Sequence, residues 1–248
     1  MEFKDYFSDQ SKQYAESRPL YPDELFEYLV SLIPQKETAW DVGTGNGQAA
    51  ISLSKYFNKV IATDASKEQI SNAFPNDKVE YFVATAENSG LAGNSIDLIT
   101  CATCIHWFDF DKFYPEVKRI LKPGGVIAAW CYVLMETDND FGALINDFAL
   151  GPLKDYWPHE RDYVWTRYDS LPFPFEPINH PKIYGRMTWN MFQVVNYLNS
   201  WSSTKQYIAK HHSNPVEMLI PKLEEAWGDP LLEKEVKWDL ALKVGRTQ

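Results

Sequence analysis

Three glycines at alternate positions, Gly43, Gly45 and Gly47, follow directly on the apolar run Ala39-Trp40-Asp41-Val42. Glycine has no Cβ, so such a loop can turn sharply and bring its backbone close to a bound molecule. A second apolar run, residues 60–63, ends at Asp64 about one strand-helix unit later. A carboxylate at that strand end is placed to accept hydrogen bonds from ribose hydroxyls. Together these residues predict a nucleoside-cofactor site at the top of a parallel sheet. The glycine spacing narrows the cofactor. A dinucleotide fingerprint needs G-x-G-x-x-G, whereas here the third glycine comes one residue early and Gln48 stands in its place. No Gly-Lys-Ser or Gly-Lys-Thr follows, which excludes a P-loop.

Other residues carry weaker chemical signals. His106 follows a fourth apolar run, where an imidazole serves as a general base, as a hydrogen-bonding positioner, or as a packing residue beside Trp107. Trp130 and Arg186 are further pocket candidates. His211-His212 reads as a solvated helix end rather than a metal pair, and no metal site is expected. Cys101-x-x-Cys104 lacks a second cysteine pair at zinc spacing and sits in apolar sequence, so these thiols read as structural.

The elements that position these groups alternate regularly. Residues 22–33 carry an amphipathic helical stripe that Pro34 ends. Strands are predicted at 39–42, 60–63, 79–84, 96–101 and 126–132. Helices separate them, including a stripe over 110–121 whose Pro115 puts the expected start close to Tyr114. Strands joined by helical crossovers demand a mostly parallel, doubly wound α/β sheet, with ligands outside the carboxyl ends of its strands. Beyond Tyr132 the alternation stops, and residues 133–180 read as an aromatic, proline-rich cap or lid. A strand near 182–187, helices near 189–198 and 216–227, and a final strand over 236–244 follow. The strict alternation of that last strand suits a sheet edge.

The 248 residues suit a single domain, and 45% hydrophobic residues suffice for a core. A net charge of −10 argues against nucleic acid as the main partner, since phosphate binding needs a basic face. No apolar run reaches the length of a membrane span and no signal peptide is evident, so a cytoplasmic protein is expected. Three cysteines, an odd and small number, fit a reducing setting.

The acidic glycine loop resembles motif I of the class I S-adenosylmethionine (SAM)-dependent methyltransferases. The order of features over residues 38–130 is similar to the type 11 branch: the loop, Asp64, Ala86-Glu87 after the third strand, and Leu121-Lys122-Pro123-Gly124-Gly125 before the fifth. Residues 14–22 and His106-Trp107-Phe108 resemble the trans-aconitate methyltransferase-like group. The resemblance implies a Rossmann-like sheet of seven strands with the last antiparallel, SAM as cofactor, and a small-molecule methyl acceptor. It implies that Asp41, Gly43, Gly45 and Gly47 hold the methionine end and that Asp64 binds ribose. Ala65 would flank the adenine, Thr85, Ala86 and Glu87 would line its edge, and Ala102 would lie below the sulfonium. Many relatives carry Asp where Thr85 stands, so adenine contacts are expected to shift toward the backbone.

Residues 1–35 are expected to cover the cofactor, with Tyr14 and Arg18 folded over it and Arg18 reaching a carboxylate. Trp107, Trp130 and Arg186 are the expected acceptor contacts, and His106 the expected catalytic residue. O-methylation of a carboxylate or hydroxyl leads, ahead of C- or N-methylation of a larger metabolite and of a non-catalytic SAM-binding module. A monomer or weak homodimer is expected.

Overall fold

The computed structural model describes residues 19–137 and 141–247. Their sheet is built from β1 (Thr38–Val42), β2 (Lys59–Asp64), β3 (Val79–Val83), β4 (Ile96–Ala102), β5 (Leu121–Glu136), β6 (Glu176–Pro177), β7 (Tyr184–Trp189) and β8 (Lys234–Arg246). The order is β3-β2-β1-β4-β5-β8-β6, with β7 also paired to β8. The first five strands run parallel, and β8 is antiparallel to β5, β6 and β7. The order turns at β1 and β4, which opens the crevice expected of a doubly wound sheet.

Alternating side chains divide the central strands between two apolar layers. Ala39, Val60, Ala62, Leu98, Ala128 and Trp130 pack on one face against α1 (Asp23–Ser31) and α2 (Gln48–Ser54). Trp40, Ile61, Ile99, Cys101 and Ile127 pack on the other against α4 (Phe110–Ile120), which presents Phe113, Tyr114, Val117 and Ile120. Between them in chain order lies α3 (Lys67–Ser71), capped by the Ser66 side chain accepting from Gln69 N–H.

Three expectations are corrected. The sheet has eight strands rather than seven, because the two-residue β6 pairs with Gly245 and Arg246. The alternating strand β8 is internal, flanked by β5 on one side and by β6 and β7 on the other. Its alternation puts Val236, Trp238, Leu240, Leu242 and Val244 into one apolar layer and leaves Glu235, Lys237, Asp239 and Lys243 with Ala241 on the opposite face. Helix α4 begins at Phe110 and carries Pro115 inside it. The proline costs about 3 kcal/mol in a helix interior. The four buried side chains of the stripe, at roughly 1.5–3 kcal/mol each, outweigh that cost.

The cap begins later than expected, since β5 continues to Glu136. It contains α5 (Phe141–Leu150), short turns at Lys154–Tyr156 and His159–Arg161, and α6 (Asp162–Trp165). The remaining helices are α7 (Met191–Asn199), α8 (Ser202–His211) and α9 (Ile220–Trp227). His211 ends α8 with its Nε2 2.5 Å from the Tyr156 hydroxyl, and its ring packs on Tyr207.

Candidate active site

A cleft of about 510 Å³ opens over the carboxyl ends of β1, β2, β3 and β4. Its size falls in the ordinary range for small-molecule sites. Of the residues singled out in the sequence, Gly43, Gly45, Asp64, Ala65, Thr85, Ala86, Glu87, Ala102 and Trp107 line it.

The glycine loop is held from below. Asp41 is fully buried, accepting from the Thr44 hydroxyl at 2.5 Å and from the Thr100 hydroxyl at 2.7 Å. Burial pushes its carboxyl up to about 6, against the lowering effect of the two hydroxyls and the Ala50 backbone. Asp41 therefore braces the loop without entering the cleft. Gly43, at φ +64°, lies against Cys104; a Cβ there would stand 2.8 Å from the Cys104 Cβ. Gly47 lies outside the lining and is the N-cap position of α2, where the absence of a side chain lets the Tyr81 hydroxyl approach.

Asp64 links two loops. Its Oδ2 accepts Gly45 N–H and its Oδ1 accepts Ser66 N–H, each at 2.9 Å. A carboxylate offers about four acceptor positions, so this fixed group retains capacity toward ribose hydroxyls. Glu87 turns one oxygen back to accept Asp109 N–H at 3.0 Å, tying the segment after β3 to the segment after β4.

The far end of the cleft is aromatic. Tyr21 and Tyr132 stack at 5.2 Å, and the Tyr132 hydroxyl donates to the Pro19 carbonyl. Tyr21 and Thr103 hydroxyls lie 3.1 Å apart. Thr103 directly follows β4 and has φ +59°, an outlier for a β-branched residue. Strain of this kind gathers at ligand sites. Sequence reasoning missed Thr103, Tyr132 and the cap residue Glu160, because a backbone outlier and a contact from an irregular segment leave no periodic signal.

Several expected contacts lie elsewhere. His106 does not line the cleft. It is almost wholly buried, with Nδ1 3.0 Å from the Tyr168 hydroxyl. Burial, then the nearby Arg161 charge, drives its pKa down to about 3. An imidazole so placed is neutral near neutral pH and, of the base, positioning and packing readings open from the sequence, has the surroundings of a packing residue that joins the post-β4 turn to Tyr168. Trp130 is fully buried, edge-on to Tyr21 and Phe26. It supports the aromatic wall from behind. Arg186 lies on β7 and pairs with Glu235 at 2.7 Å, far from the cleft lining. Tyr14 and Arg18 fall outside the described residues. All three cysteines are free thiols and buried; Cys104 donates to the Val42 carbonyl at 3.0 Å.

The comparisons agree with this geometry. The methyltransferase domain family matches residues 40–129. A Dictyostelium discoideum protein named as a methyltransferase is 35% identical over 90% of this chain and 85% of its own length. The methyltransferase pgmE of Aspergillus terreus is 32% identical over 92% and 90%. A solved structure from Anaeromyxobacter dehalogenans, named as a type II methyltransferase, superposes with a TM-score of 0.87 at 36% identity, covering 92% of this chain and 97% of that one. This chain belongs to the class I SAM-dependent methyltransferases, and SAM is its cofactor.

The residues present fit that cofactor: Gly43 and Gly45 would face its methionine end, Asp64 would accept from ribose, and Ala65 and Ala86 would lie by the purine, all of them lining the cleft. Bound there, SAM supplies a methyl carbon made electrophilic by the adjacent sulfonium. The protein's own task is to orient an acceptor, exclude water and receive any proton released.

Proposed function

We propose that this enzyme methylates an oxygen, carboxylate or hydroxyl, of a small-molecule acceptor seated at the aromatic end of the cleft. The observation that carries this reading is the convergence on the cleft of Tyr21, of Thr103 just past the end of β4, and of Tyr132 within β5. These groups supply apolar faces and three hydroxyls, of which that of Tyr132 already donates to the Pro19 carbonyl, enough to orient a compact acceptor beside the cofactor. A net charge of −10 speaks against nucleic acid as acceptor. Among the described residues no helix is long and apolar enough to cross a membrane. Three free thiols suit a reducing compartment such as the cytoplasm.

The test is turnover of SAM to S-adenosylhomocysteine with a panel of small acids, alcohols, phenols and amines. Methyl ester or ether products are expected. Products methylated only on nitrogen or carbon would overturn the oxygen assignment. Tight SAM binding without turnover on any acceptor would point to a cofactor-binding module.

A further inference from the structure

Resting on the oxygen-methylation reading, we infer that the acceptor is a planar hydroxyl compound, a phenol or enol, and that Glu160 accepts its proton. Two independent features of the cleft lead there. The first is charge. The described lining carries four acidic side chains, Asp64, Glu87, Asp109 and Glu160, and one cation, Lys112. That cation is already bridged to Asp109 at 2.7 Å. A carboxylate acceptor would enter this acidic surroundings and lose its hydration without a compensating charge from these residues. A neutral hydroxyl compound meets no such penalty, and the aromatic walls suit a flat one.

The second feature is the placement of Glu160. It is the cap's contribution to the cleft lining, and its side chain is only 13% exposed, with His159 Nδ1 at 3.3 Å. The turn His159–Arg161 packs against the post-β4 turn Ile105–Trp107, which brings the carboxylate to the Trp107 side of the cleft. The next residue locks it there. Arg161 lies in the corner formed by Trp157 and Trp165, whose rings meet edge-to-face at 5.5 Å, with its guanidinium carbon 4.4 and 4.8 Å from the ring centres. The turn therefore directs its negative side chain into the cleft and its positive side chain into an aromatic corner.

A hydroxyl acceptor needs such a group, because its proton must leave as its oxygen becomes an ether. An oxygen lone pair forms the new O–CH3 bond. The C–S bond breaks with its electrons passing to sulfur, which ends as a neutral thioether. The hydroxyl proton passes to Glu160 and then to solvent.

The experiment compares wild type with Glu160→Gln on three ring-matched probes: phenol, 4-nitrophenol and benzoate. The assay pH lies between the ionisation constants of the two phenols, so that only 4-nitrophenol arrives already ionised. Wild type is expected to methylate phenol, to methylate 4-nitrophenol with a raised KM because its anion, though spread onto the nitro group, meets the same acidic lining, and to leave benzoate untouched. Glu160→Gln is expected to lose about 100-fold or more in kcat on phenol while staying within a few-fold on 4-nitrophenol. That retained activity also shows the variant to be folded. An equal loss on both phenols, no loss on either, or preferential methylation of benzoate overturns the inference. So does wild type that binds SAM in calorimetry yet methylates none of the probes. Failure of wild type to bind SAM at all would instead defeat the underlying functional reading.

Discussion

Burial acts on Asp41 and His106 with opposite sign, because one is charged when deprotonated and the other when protonated. The Asp41 carboxyl rises from 3.8 to about 6, so the folded state holds its proton more tightly than the unfolded chain. Its contribution to stability is complete below pH 3.8 and is lost as pH climbs through 6; a shift of this size corresponds to about 3 kcal/mol. His106 falls from 6.5 to about 3. Its contribution is present above pH 6.5 and drains away as pH falls toward 3. Urea midpoints measured across this range should therefore respond to the two substitutions differently. Asp41→Asn should flatten the decline between pH 4 and 7, and His106→Asn should blunt the acid-side loss. Identical pH profiles for both variants and wild type would contradict these assignments. At the cofactor end, Asp64→Ala should weaken SAM binding by roughly 1–3 kcal/mol, read by calorimetry. Unchanged affinity would remove Asp64 from the ribose site. Asp64 and the glycine loop were legible in the sequence because their chemistry depends on local spacing. The choice among base, positioner and packing residue for His106 was not legible, because its surroundings include Tyr168, 62 positions away.

Among the elements, the junction of the glycine loop with α2 is the most constrained. Gly47 sits at φ +91°, and a Cβ there would stand 2.3 Å from the Tyr81 hydroxyl. Gly47→Ala should destabilise the protein by the left-handed backbone cost, about 1–2 kcal/mol, plus the clash with Tyr81. Adding Tyr81→Phe removes the clashing oxygen and should recover part of the loss in urea melts, leaving the backbone share together with the ring carbons 2.9 Å from the new Cβ. Full recovery would show that the backbone is unstrained. Strands β1 to β4 fall within a residue or two of their predicted positions, since their apolar runs are short and bounded by turn residues. Helix α4 defied the Pro115 rule, as packing of Phe113 and Tyr114 is a tertiary fact that local preference does not contain. The turns that present Glu160 obey no period, which is why the cap could be recognised as a segment but not resolved into contacts.

At the scale of the whole molecule, the cleft draws on segments from Pro19 to Glu160, so ligand binding should stiffen most of the chain as one unit. Saturation to about 100 times Kd adds about 2.7 kcal/mol. For a chain of this size each kcal/mol moves Tm by about 2–4 °C, which gives an expected rise of about 5–11 °C with SAM. NAD at the same concentration should leave Tm unchanged; an equal or larger shift with NAD would contradict the cofactor assignment. The doubly wound architecture was readable from the strand-helix alternation alone. The internal position of β8 was not, because an apolar face backed by a largely charged one reads the same at a sheet edge as inside the sheet.

That position of β8 has a consequence for biogenesis. Strand β7 pairs with β8 alone, and the outer side of β5 is satisfied by the same thirteen residues. A nascent polypeptide that has emerged through β7 therefore carries an unmated ribbon on β5 until residues 234–246 leave the ribosomal tunnel. Such ribbons template cross-chain pairing. Overproduction should consequently yield insoluble material when translation is fast, and slowed translation or a holdase present until β8 has emerged should return it to the soluble pool.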